Sequence, residues 1–92
     1  MTATLLHFRQ PPLSIDEIEA FTAIRSPYPC YDVFMEDGGL TIILGTDTTG
    51  PNLALQEVYI APAELGSALY PLALLALRID EAVKQLDAGR EA

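Results

Sequence analysis

The segment YDVFMEDGGLTIIL, residues 31–44, constrains the fold more than any other part of the chain. An Asp37-Gly38 pair stands between two alternating runs, and Asp-Gly is favoured in two-residue hairpin turns because both turn positions need positive φ. A turn of that kind opposes Glu36 to Gly39 and fixes a register. Met35 then faces Leu40, Val33 faces Ile42 and Tyr31 faces Leu44, so six apolar side chains share one side. Asp32, Phe34, Glu36, Thr41 and Ile43 take the other side, which is mostly polar but carries two apolar residues. A Gly38-Gly39 turn and a longer bulged turn are the alternatives.

The remaining elements follow from local signals. ATLLHF, Ala3 to Phe8, reads as a first strand stopped by Pro11 and Pro12. Ser14 and Glu17 form an S-x-x-E capping box, and Ile15, Ile18, Thr22 and Arg25, widened by Phe21 and Ile24, predict a helix from about Ile15 to Ile24. Pro27 and Pro29 end it by restricting the residues before them. LALQEVYI reads as a strand, strongest over Glu57 to Ile60. Beyond it, Gly66 and Pro71 argue against one straight helix and divide the pattern into a short helix over about Ala63 to Leu69 and a longer one over about Pro71 to Ala88, with Gly89 as the stop. Leu72, Leu75, Ala76, Ile79, Ala82, Val83 and Leu86 form the stripe expected to cover the sheet, and Asp80 precedes Lys84 at a pairing distance of four.

The order β-α-β-β-β-α predicts one α+β domain: a small, mostly antiparallel sheet with two helical regions on one face and a long C-terminal helix. It is one strand short of the ferredoxin-like β-α-β-β-α-β order. A core of this size leaves a margin of only a few kcal/mol, so an apolar helix face buried against a partner is a natural supplement.

Thirteen acidic residues against five basic ones give a net charge of -8, which opposes binding to phosphate backbones and suits a basic protein partner as well as simple solubility. One cysteine, Cys30, cannot form an intrachain disulfide, and the sequence carries no basic-then-apolar leader at its start; the expectation is a cytoplasmic protein. The apolar run Leu72 to Leu77 is too short to span a bilayer.

Chemical equipment is sparse. GTDTTGPN, Gly45 to Asn52, has the glycine spacing of a phosphate loop, but Pro51 and Asn52 stand where that loop needs Lys and Ser or Thr. Asp47 is a single carboxylate, against the six to eight oxygens calcium takes. A turn explains the loop with fewer demands, Gly45 and Gly50 supplying unusual backbone angles. A small enzyme would need two or more of His7, Cys30, Asp32, Glu57 and Tyr59 to converge in a pocket. Glu57 shares its side of the strand with Leu53, Leu55 and Tyr59, and either faces the core or sits as a charge guarding an edge. No cofactor or metal is expected.

The residues better suited to function are apolar ones in acidic surroundings. Tyr28 with Tyr31, Phe34 with Ile43 on the less apolar hairpin side, and Tyr70, Leu74 and Leu77 around the start of the long helix are the candidates for contact. The sequence therefore predicts a non-enzymatic protein-interaction domain that self-associates through the early part of the long helix and binds or blocks a basic protein surface. The alternatives are a carboxylate- or histidine-dependent enzyme and a permanent structural subunit.

Overall fold

The computed structural model describes residues 13–47 and 50–91. Their order is α1 (Ile15–Arg25), β1 (Cys30–Glu36), β2 (Gly39–Gly45), a 3-10 turn (Gly50–Asn52), β3 (Leu55–Ile60), α2 (Pro62–Ser67) and α3 (Pro71–Glu91). The strands form an antiparallel sheet in the order β1-β2-β3, and the helices pack on one of its faces. The strand expected over Ala3 to Phe8, and His7 with it, lies outside the described residues.

The hairpin register is the one the turn dictates. Glu36 pairs with Gly39, Met35 with Leu40, Phe34 with Thr41 and Val33 with Ile42. Asp37 and Gly38 sit at φ 53° and 86°, the pair of positive angles that matches the right-handed twist of the strands. Below Val33 the ladder slips: Asp32 pairs with Ile43 and Cys30 with Leu44, leaving Tyr31 as the extra residue of a β-bulge. Tyr31 therefore does not face Leu44 as the unbroken alternation predicts, and Cys30 packs against the core instead. Its ring lies over Gly45, where an added Cβ would come within 2.8 Å of Tyr31 Cε1 and 2.7 Å of Leu55 Cδ2. Close packing, not an unusual backbone angle, thus accounts for that glycine; Gly50, at φ 77°, does serve the angle.

Leu40, Ile42 and Leu44 on β2 and Val58 and Ile60 on β3 meet Ile18 of α1 and Leu75, Ile79, Ala82 and Leu86 of α3 in the core. Met35 is 41% exposed at the turn end of the hairpin. The α1 capping box is complete, with Glu17 N–H donating to Ser14 Oγ and Ser14 N–H to Glu17 Oε1, both at 3.1 Å. Ile24, expected to widen the buried side, is instead solvent-facing. The α3 helix continues through Gly89, so that glycine does not stop it. Asp80 does not depend on Lys84 for its partner: Arg25 Nε and Nη2 donate to its two oxygens at 3.0 and 2.6 Å, tying α1 to α3.

Candidate functional site

With the helices on one side, the opposite face of the sheet is built from residues that alternate with the core positions. Registers on both sides of β2 put these residues in rows. Phe34, Thr41 and Tyr59 form one row, Asp32, Ile43 and Glu57 the next, and Gly45 and Leu55 a third beside the bulged Tyr31. Phe34 is 40%, Tyr31 47%, Tyr59 49% and Leu55 55% exposed. The face is thus an apolar surface in water with Ile43 half-buried at its centre.

Its charge is of one sign. Asp32 and Glu57 flank Ile43, one strand to each side, so their backbones stand about 10 Å apart at the usual strand spacing. Among the described residues neither carboxylate has a cationic partner. The described cations Arg25, Arg78 and Lys84 all stand on helices. Arg25 is engaged by Asp80, and Arg78 by Glu64 with Glu81 at 3.8 Å. Glu57 does not face the core: on β3, at the edge of the described sheet, Leu55, Glu57 and Tyr59 point out to solvent while Val58 and Ile60 fill the core.

The edges of the sheet are less available than its face. The Tyr31 bulge interrupts β1, and Tyr31 Oη donates to the Thr46 carbonyl at 2.5 Å. On β3, Arg78 Nη1 donates to the Tyr59 carbonyl at 3.0 Å, occupying an outward backbone acceptor. Both devices discourage strand addition. Between β3 and α3 runs an open groove of about 350 Å³, lined by Gln56, Val58, Arg78, Ala82 and Gln85 among others.

Of the residues nominated from the sequence, Phe34 and Ile43 do share this face. Leu77 is exposed on α3 and Tyr70 immediately before it, and Leu74 beside them is partly buried against the core. Tyr28 belongs elsewhere. It is a core residue, 6% exposed, delivered inward by a turn in which Ser26 Oγ accepts from Tyr28 N–H and donates to the Tyr28 carbonyl, each at 3.0 Å. Its hydroxyl donates to Asp87 on α3. Tyr59 and Leu55 were missed as contact residues; the period-two run from Leu53 to Tyr59 was the signal that could have found them.

Of the groups an enzyme would need, Glu57 and Tyr59 border the open groove between β3 and α3 together with Arg78 and Glu81, Cys30 and Asp32 are not among its lining residues, and His7 lies outside the described residues. Cys30 faces the helical side of the sheet, and burial together with the Glu19 and Asp32 charges pushes its thiol up and keeps it protonated. Asp32, Glu57 and Tyr59 share the outer face, but in the open, so the arrangement offers contact and charge more than a desolvated centre. The GTDTTGPN connection is closed at its neck by Thr46, whose N–H donates to the Ala54 carbonyl at 3.1 Å and whose Oγ1 accepts from Ala54 N–H at 3.2 Å; Asp47 is exposed, and Thr48 and Thr49 lie outside the described residues. No described helix is long and apolar enough to cross a membrane. Comparison of the chain with family models, with curated proteins and with solved structures gives no match.

Proposed function

We propose that the chain is a protein-interaction module whose open sheet face takes a segment of a partner protein, apolar at its centre and flanked by lysine or arginine. The observation that carries this reading is the row Asp32–Ile43–Glu57, an apolar centre between two carboxylates without counter-ions among the described residues, bordered by Phe34 and Tyr59.

Magnitudes explain why the partner must be basic. Covering the exposed parts of Phe34, Tyr59, Leu55 and Tyr31 removes roughly 350 Å² of apolar surface, worth about 9 kcal/mol gross. Association itself costs about 4–15 kcal/mol. Apolar contact therefore only breaks even, while a partner without cations would also strip water from Asp32 and Glu57 at a cost of several kcal/mol each. Cations at the flanks reverse that penalty and steer the encounter. The guarded edges favour a segment lying across the face over one added as a fourth strand.

The test is titration of the full chain with a synthetic peptide that has a leucine-rich centre between lysine pairs, and with its glutamate-flanked counterpart. The lysine peptide is expected to bind, more weakly as salt rises, and Asp32→Lys with Glu57→Lys to weaken it about tenfold or more. Equal binding of both peptides, or of the lysine peptide by the double variant, would sink the proposal.

A further inference from the structure

We infer that two copies of the chain pair through the outer side of the first turns of α3, producing a bivalent dimer with an acidic sheet face at each end. The pairing is independent of the sheet-face reading; the bivalency rests on it.

At about 100° per residue, Leu77 points some 200° away from the buried Leu75, and Tyr70 and Ala73 fall within about 40° of Leu77. These residues therefore face away from the sheet. Tyr70 is 67%, Leu77 62% and the neighbouring Leu69 77% exposed. The patch lies in the longest uncharged stretch of the sequence, between Glu64 and Arg78, and those two bounding charges are paired with each other.

That neutrality identifies the occupant. In a chain of net charge -8, copies repel one another wherever acidic surfaces meet, and self-pairing of the sheet face would set Asp32 and Glu57 against carboxylates. The helix patch carries no such penalty. A two-fold axis beside Ala73 lays Tyr70 of one copy along Leu77 of the other, with the small alanine allowing close approach of the helices. Covering Leu69, Tyr70, Ala73 and Leu77 buries roughly 500 Å² per copy, or about 1,000 Å² in total, the lower limit for a specific interface. The dimer is accordingly reversible. Because the patch and the sheet face lie on opposite sides of the two layers, pairing leaves both acidic faces free.

Sedimentation of the full chain from about 1 μM to 1 mM tests the pairing, and binding of the lysine–leucine peptide in solution and on a densely coated surface tests the bivalency. The wild-type chain is expected to pass from monomer to dimer. Leu77→Asp, at an exposed site, should stay monomeric with an unchanged thermal unfolding curve, keep the wild-type solution affinity for the peptide, and leave the coated surface about tenfold or more faster. A chain monomeric throughout, whatever else covers the patch, or a dimer indifferent to Leu77→Asp, overturns the pairing. A dimer that cannot bind the peptide when the Leu77→Asp monomer can overturns the bivalency. A dimer broken by Leu77→Asp with no peptide bound by either form upholds the pairing and defeats the sheet-face reading.

Discussion

Arg78 holds the backbone carbonyl of Tyr59 by a 3.0 Å hydrogen bond from α3, so the long helix covers an edge of the sheet that would otherwise be open to another strand. The same guanidinium pairs with Glu64, which in turn accepts from Ala61 N–H at 3.2 Å where α2 begins. One side chain thus joins strand, short helix and long helix.

Arg78→Met keeps much of the aliphatic stem and removes the donor. The expected result is association through the freed β3 edge at a concentration at least several-fold lower than for the wild-type chain, detected by light scattering and thioflavin fluorescence. Unchanged association would mean that the Tyr59 carbonyl needs no cover.

At the hairpin, Gly38 adopts φ 86° at an exposed position where an added Cβ meets only Pro62 Cβ at 3.5 Å. Gly38→Ala therefore isolates backbone conformation from packing. It should cost about 1–2 kcal/mol in urea unfolding, the penalty for placing a side chain in the left-handed region. Asp37→Asn, at φ 53°, should be close to neutral because asparagine accepts that region.

That turn is also where the fold was most legible. The Asp37-Gly38 pair and strict alternation specify four paired rows, and S-x-x-E places the start of α1, because these are local devices whose geometry depends on few neighbours. The bulge at Tyr31 was not legible: it depends on the packing of the Tyr31 ring over Gly45 and on its bond to Thr46, which connect residues far apart in sequence. The Arg25–Asp80 pair escaped for the same reason, since it spans two helices and the within-helix partner Lys84 was the one visible from spacing. Phe34 and Ile43 could be placed on the outer face from the hairpin alone, whereas Tyr59 and Leu55 joined them only once the β2–β3 register was known. Tyr28, flanked by two prolines, gave no periodic sign that it enters the core.

Tyr28 provides a direct check on that core placement. Tyr28→Phe keeps the ring and removes the donor to Asp87, and should cost about 1 kcal/mol. Tyr28→Ala also removes a buried ring and should cost about 3–5 kcal/mol, with both values taken from urea unfolding at constant m. A Tyr28→Ala chain as stable as the wild type would return Tyr28 to the surface.

Acid should loosen the helical layer through Glu64 and Asp80. Hydrogen bonding to Arg78 holds the Glu64 carboxyl below the usual carboxylate range, and hydrogen bonding to Arg25 does the same for Asp80. Both folded-state values are depressed relative to the unfolded chain, so their contributions are fully present above the ordinary carboxylate range near about pH 4 and are lost as pH falls through the depressed values. Urea unfolding measured from neutral pH down to about pH 2 should show stability falling across that interval. Arg25→Gln removes the cause of the Asp80 depression, so it should lower stability at neutral pH and make the acid decline shallower, while Arg78→Met does the same through Glu64. A variant with a lower plateau but the wild-type acid slope would show that the ion pair contributes through geometry and not through proton linkage.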